Sequence, residues 1–381
     1  MPYIPPHIQA LRPYQSARDL YQGEYLFLDA NENCFGPLVG PENLVNADGS
    51  SKVNVGDYPD TDVTRLRRAL SEMYGVDQDE IAIFNGSDAA IPEILLAFSD
   101  HGGKVAGLDI GFGMYRSFCQ IHEREYVSIP TNDRFLIECE EGTSAPSNEV
   151  AEILKDAQVC FLDVPNNPSG ASQALECIEW MIDQMQHGIF VLDLAYFGFM
   201  DDEEIKDMIA RVSQYENVLV MYSFSKTWSF AGGRLGAVFG NKKLIDTLIK
   251  VRIPYHVSVI AEELGIAALA RHDEMERRCA LMKQYRTELA EGLMAISDPG
   301  RPGQSILQVY PSGTNFLLVK FPENSREIFD RLVDEYKIVL RYFGGGDALA
   351  GKDSKLAHCV RITVGLPEQN EKLIAALKNI L

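Results

Sequence analysis

The sequence predicts an α/β fold built on a mostly parallel sheet, and three observations predict it. Between about residues 60 and 270, short apolar runs alternate with segments of helical periodicity. Several of these runs are apolar at every position, as in strands covered on both faces. Most are followed by polar or Gly-rich loops, and ligands of such sheets sit beyond the carboxyl ends of the strands.

The elements follow in order. TDVTRLRRALSEMYG (61–75) has helical spacing of apolar residues, with Thr61 or Asp62 as its expected cap and Gly75 as its end. EIAIF (80–84) is a short strand, followed by NGSD and an apolar helix to about Phe98. KVAGLD (104–109), VSIP (127–130), VCFLDV (159–164), IFVLDL (189–194), VLVMYS (218–223) and RLGAVFG (234–240) are the further strands. After Ala270 the texture changes. HDEMERRCALMKQYRTELAEGLMAI (272–296) reads as one long helix. Strands near 306–310 and 315–320, a helix at about 326–336, strands near 338–342 and 358–364, and a helix from about 367 complete a smaller α+β unit. The stretch 344–355, rich in Gly, Asp and Lys, is expected to be a loop. The expected division is a large domain over 40–270 and a small domain joining 1–39 to 271–381.

Composition narrows the function. With 381 residues there is room for two domains and a large core. The formal net charge of -20 argues against nucleic acid, which needs a basic footprint, and against an anionic membrane surface. No apolar run is long enough to span a bilayer and the N-terminus has no apolar signal region, so a cytoplasmic protein is expected. The seven Cys are widely spaced with no CxxC pair, which suits reduced thiols and offers no metal site.

Four features stand at the ends of successive expected strands: Asn167 in VPNNPSG, Asp193 and Tyr196 in VLDLAYF, Lys226 in YSFSKTW, and Arg234 in AGGRLG. Each alone is a common turn or cap. Together they are the set that pyridoxal phosphate needs. A lysine amine must form an imine with its aldehyde, a task for Lys226. A carboxylate must keep the pyridine nitrogen protonated, and Asp193 ends an apolar strand where it can do so. Tyr196 and Asn167 carry groups that can contact the ring oxygen O3′. Arg234, Ser223 and Ser225 can bind the phosphate, with Ser87 and Asp88 at a helix start that favours an anion. Phe112 is the candidate for stacking on the ring, or else plain core.

This order resembles the fold-type-I, class I/II aminotransferases, and within them the histidinol-phosphate aminotransferase family. The matching segments run nearly end to end: PYQSAR (13–18), LDANEN (28–33), DYPD (57–60), NGSDAA (85–90), FGMY (112–115), VPNNPSG (164–170), LDLAY (192–196), FSKTWSFAGGRLG (224–236) and VRITVG (360–365). The resemblance implies a mostly parallel seven-stranded sheet with a smaller α+β domain, and a Schiff base on Lys226. It implies that Arg361 grips a substrate anion and that Tyr14 and Arg341 meet a distal phosphate. It also implies a homodimer in which Tyr58 reaches the other subunit's cofactor phosphate. The substrates it implies are a small-molecule amino donor and a 2-oxo acid, 2-oxoglutarate by analogy. The chain departs from the family pattern at Phe112 (usually Tyr), at the preceding DIG (109–111), and at Ala89, Leu194, Gly233 and Leu366. These bear on specificity more than on cofactor chemistry. An aromatic or broad-specificity aminotransferase and a phospho-amino-acid decarboxylase are the alternatives on the same scaffold. A regulatory module fused to a DNA-binding domain is disfavoured, since there is no basic helix-turn-helix segment.

Overall fold

Strands that are apolar on both sides must be covered on both sides, and the computed structural model shows how. It describes residues 2–381 apart from 12, 14, 15, 22, 141, 142, 144, 299 and 345–353. In chain order the strands are β1 (Leu26–Leu28), β2 (Ile81–Phe84), β3 (Lys104–Leu108), β4 (Glu125–Ile129), β5 (Val159–Asp163), β6 (Ile189–Asp193) and β7 (Val218–Ser223). They continue with β8 (Gly236–Gly240), β9 (Ser297–Asp298), β10 (Arg301–Ser305), β11 (Gln308–Val309), β12 (Phe316–Lys320), β13 (Ile338–Tyr342) and β14 (Cys359–Thr363).

Seven strands form one sheet in the order β2-β8-β7-β6-β5-β3-β4. All run parallel except β8, which is antiparallel to both neighbours. Alternate residues feed two cores. Val159 and Phe161 of β5 join a cluster with Ile91 and Ile94 of the helix Ala90–Phe98. Cys160 and Leu162 join the main cluster on the other face, with Met181 of the helix Leu175–Gln184. A second, five-stranded sheet has the order β1-β13-β14-β12-β11. The long helix His272–Met294 buries Met275, Cys279, Met282, Leu289 and Leu293. Among the described residues no helix is long and apolar enough to cross a membrane.

Two local expectations change. The helix Thr64–Tyr74 is preceded by Val63 in left-handed backbone (φ 50°), and neither Thr61 nor Asp62 caps it. The chain turns there one residue late, so it is Asp60 Oδ2 that accepts from Thr64 N, at 3.0 Å. Gly75 does end this helix, at φ 68°. β1, too short to show a period, was not expected as a strand. It pairs in parallel with β13 through Leu26, Phe27 and Leu28. Of the expected loop at 344–355, residues 345–353 lie outside the described residues.

Candidate active site

Parallel strands deliver their carboxyl ends to one edge of a sheet. Here the strand order reverses between β5, which leads on to β6 and β7, and β3, which leads to β4. Loops on either side of such a reversal part and leave a crevice. A cavity of about 580 Å³ lies there. Its walls include Gly111 and Phe112 after β3, Asn167 after β5, Asp193 at the end of β6, Tyr196 just beyond it, and Lys226 after β7.

Asp193 closes β6 and is 5% exposed. Its Oδ2 accepts from Tyr115 Oη at 2.7 Å and its Oδ1 from Ala195 N at 3.0 Å. Burial pushes its carboxyl up to about 6, against the pull of the Tyr115 hydrogen bond. Tyr115 is fully buried, its ring stacked on Phe161 at 4.7 Å and met edge-on by Phe112 at 5.5 Å. The sequence segment FGMY contains Tyr115, yet nothing in it reveals the partner, which lies 78 residues away.

Lys226 Nζ donates to Ala30 O at 2.8 Å, and Asn33 Nδ2 donates to Lys226 O at 3.1 Å. Burial, then the nearby Arg361 cation, lowers the amine to about 8. Ser223 and Ser225 line the same wall, with Ser225 N donating to Ser223 Oγ at 3.2 Å.

At one end of the cavity Ser87 and Asp88 open the 3-10 turn that leads into the helix Ala90–Phe98. Arg234 faces them. Its backbone is left-handed (φ 50°), and its guanidinium lies 3.4 Å from Ser225 Oγ, 3.2 Å from Ala231 O and 3.5 Å from Asp88 Oδ2. Gly86, at φ 83°, leaves room for it, because a Cβ there would fall 2.4 Å from Arg234 Nη2.

The five-stranded sheet supplies the opposite wall. Arg361, from β14, donates from Nη1 to Asn167 Oδ1 at 2.5 Å and from Nη2 to Asp29 O at 2.6 Å. Arg341, from β13, lines the cavity and lies over the Phe343 ring. Asn31, in left-handed backbone (φ 53°), ties the two sheets together. It takes Thr363 Oγ1 on its N–H at 3.0 Å, donates from Nδ2 to Tyr196 Oη at 2.8 Å, and accepts at its carbonyl from Asn315 Nδ2 at 3.0 Å. Burial pushes the Tyr196 hydroxyl up to about 12.

The cavity thus gathers the sequence candidates from Ser87 to Arg361, with two exceptions. Tyr58 stands outside it, 82% exposed, with its ring stacked on Tyr255 at 4.6 Å. Tyr14 lies outside the described residues. Sequence reasoning missed Asp163, Arg18 and Arg116, all of which line the cavity. Arg18 pairs with Glu32, and Arg116 lies over the Tyr126 ring at 4.4 Å. The PYQSAR and FGMY segments flag the neighbourhoods of Arg18 and Arg116, while Asp163 carries no sequence signal beyond ending a strand.

Known proteins resemble this chain in sequence and in fold. The sequence pattern of the family Aminotransferase class I and II matches residues 23–377. A histidinol-phosphate aminotransferase of Christiangramia forsetii is 31% identical over 381 aligned residues, covering 99% of this chain and 97% of that protein. The crystal structure of histidinol-phosphate aminotransferase from Sinorhizobium meliloti in complex with pyridoxal-5'-phosphate superimposes with a TM-score of 0.80. It is 24% identical, with 99% of this chain and 97% of that one covered. L-threonine-O-3-phosphate decarboxylase from Porphyromonas gingivalis shares the fold at a TM-score of 0.72 and 22% identity, with 93% of this chain and 99% of that one covered. A pattern matched over nearly the whole chain, and a relative aligned almost end to end, lead to one conclusion: the chain belongs to the class I and II aminotransferase family.

Proposed function

We propose that this aminotransferase works with pyridoxal phosphate carried on Lys226, and that it transfers the amino group of histidinol phosphate to 2-oxoglutarate in histidine biosynthesis. The observation that carries the reading is one cavity holding the amine of a half-buried lysine, a buried carboxylate, Arg341 and Arg361 from the five-stranded sheet, and Arg234 from the loop before β8. The near full-length likeness to a histidinol-phosphate aminotransferase supports the substrate.

The residues fit the cofactor. Asp193 is a buried carboxylate that burial disfavours as a lone anion, so a cationic ring nitrogen would complete it. Gly86 leaves the space that lets Arg234 and the helix start at Ser87 and Asp88 form a cradle for a phosphate. Ser223 and Ser225 would add hydroxyl donors there, and Phe112 would cover the ring. Asn167 and Tyr196 would bind its phenolic oxygen. Bound pyridoxal phosphate supplies an aldehyde for the amino group and a protonated ring that takes up electron density when the α-proton leaves. Lys226 Nζ, kept partly neutral at physiological pH by burial, would take that proton and return it. Asp193 would hold the proton on the ring nitrogen. Arg361 presents a planar fork suited to carboxylate or phosphate, and Arg341 with Tyr14 would meet the distal phosphate.

We also propose a homodimer in which Tyr58 contacts the partner's cofactor phosphate, in the cytoplasm. Tyr58 and Tyr255 form an exposed aromatic pair, and Val55 and Ile260 stand exposed with Tyr255 around a second cavity that reaches Arg234. The division into domains at about residues 40 and 270 belongs to the same proposal. Strands of the seven-stranded sheet all fall within 40–270 and those of the five-stranded sheet all fall outside it.

Steady-state rates with histidinol phosphate, phenylalanine, tyrosine and aspartate, each against 2-oxoglutarate, test the reading. Histidinol phosphate should be the best donor. A large preference for an aromatic amino acid would refute the substrate. Carbon dioxide release without consumption of the keto acid would reassign the chain to the decarboxylases.

A further inference from the structure

Beside Asp193 stands a second buried carboxylate to which no role has yet been given. β5 and β6 pair in parallel with Asp163 opposite Asp193, so both carboxylates leave the sheet at the same edge and line the same cavity. Asp163 is 5% exposed. Its Oδ2 accepts from the backbone N–H of Asn167 at 2.7 Å, and its Oδ1 accepts from Asn166 Nδ2 at 3.1 Å. Asn166 is itself fixed, because its Oδ1 accepts from Ser169 N and Oγ and its Nδ2 also donates to Ile110 O. The turn 163–170 is therefore stapled at its base by Asp163. What that turn presents is Asn167, whose Oδ1 accepts from Arg361 Nη1.

We propose that Asp163 is a positioning residue for substrate capture: its ionised carboxylate fixes Asn167, Asn167 aims the Arg361 guanidinium, and the strength of this chain follows pH. The inference rests on the reading of Arg361 as the group that grips a substrate anion. A charged acceptor makes a hydrogen bond roughly twice as strong as a neutral one, so a proton on Asp163 weakens both staples at once. Among the described residues, Asp193 on the adjacent strand, Tyr115 on the helix Gly113–Ile121, Tyr126 on β4 and Tyr196 after β6 couple to the Asp163 charge, and the cations Lys226, Arg116 and Arg361 line the same cavity. Burial and the Asp193 charge push the Asp163 carboxyl up to about 7, against its hydrogen bonds from Asn167 and Asn166. The switch thus falls near neutrality.

The test uses the pyridoxal-phosphate-loaded protein and glutarate, which keeps both carboxylates of 2-oxoglutarate but has no carbonyl to react. Glutarate affinity is measured by calorimetry from about pH 6.5 to about pH 8.5 for the parent and for Asp163→Asn. The ratio of the two dissociation constants cancels every ionisation that is not coupled to Asp163. That ratio should be about tenfold at the alkaline end, the worth of one charge-assisted hydrogen bond, and should fall toward one at the acid end. A merely structural role gives a ratio that does not change with pH, and that result overturns the proposal. In an Asn167→Ala background the Asp163→Asn substitution should weaken glutarate no further, and a full further loss would equally overturn it. The parent alone supplies a third readout that survives misfolding of a variant. Hydrogen-exchange protection of the Asn167 amide, corrected for intrinsic rate, should drop about tenfold as pH falls through neutrality, and a flat profile sinks the idea. A parent that transaminates but shows a flat profile refutes this inference alone. A parent with no transaminase activity at any pH refutes the reading beneath it as well.

Discussion

Lys226 should react with amine reagents at neutral pH far faster than the surface lysines of the same chain. The perturbation is pH, applied to protein stripped of cofactor. Burial, followed by the Arg361 and Arg234 cations, lowers the amine from 10.5 to about 8, while Asp88 and Glu32 pull the other way. At pH 7 roughly one Lys226 amine in ten is then neutral, against roughly one in 3000 for an ordinary lysine, a gain of roughly 300-fold in the reactive form. The assay is a brief pulse of an amine-selective acylating reagent at each pH, with the modified lysines identified by peptide mass spectrometry. The Lys226 rate should climb about tenfold per pH unit and level off above about pH 8. Arg361→Gln should move that midpoint upward, since it removes the second-ranked cause of the shift, and Asp88→Asn should move it downward. A midpoint above about pH 10, in the range of free lysine, would show that burial does not govern this amine and would undercut its proposed role as the base.

Three further outcomes follow from particular contacts. Asp193→Asn keeps the shape but not the charge that, on the proposed reading, would face the cofactor ring nitrogen, so turnover should fall by about 10²–10³-fold while the melting temperature measured without cofactor changes little. Gly86→Ala places a Cβ 2.4 Å from Arg234 Nη2 at a φ of 83°, so it should weaken pyridoxal phosphate binding, read by equilibrium titration, and should also cost about 1 kcal/mol or more in denaturant unfolding. Glu93 is buried, and desolvation raises its carboxyl to about 7. A carboxyl that is more basic folded than unfolded contributes stability that is full below the unfolded value near 4.5 and is lost as pH rises through about 7. Glu93→Gln should therefore gain in melting temperature relative to the parent between about pH 5 and about pH 7.5, and an unchanged gap would refute it.

The seven-stranded sheet was legible because its strands are covered on both faces, which writes unbroken apolar runs into the sequence. VLVMYS is the plainest case, and β7 spans those same six residues. β1 was not legible, since three residues carry no period and its partner β13 lies more than 300 residues on. The cap of the helix Thr64–Tyr74 was misread because a Val in left-handed backbone is rare enough that no local rule anticipates it. The strand-end groups of the site could be read because the α/β fold sends them to one edge. Their supporting partners could not. Tyr115 under Asp193, Asn31 against Tyr196 and Asp163 under Asn167 are defined by contacts that only the folded chain creates.

Asn31 carries a consequence for the order in which the molecule is made. Its N–H finds Thr363 Oγ1 only after 332 further residues have been translated. By then Asp193 and Lys226 have long left the ribosome, and their sheet has every strand it needs. β14 carries both Arg361 and Thr363, so the contact of Arg361 with Asp29 O and the latch on Asn31 arrive in a single step. A chain cut before that strand would keep Lys226 and Asp193 but lose both contacts, so one short edge of the smaller sheet completes a cavity that the larger sheet begins.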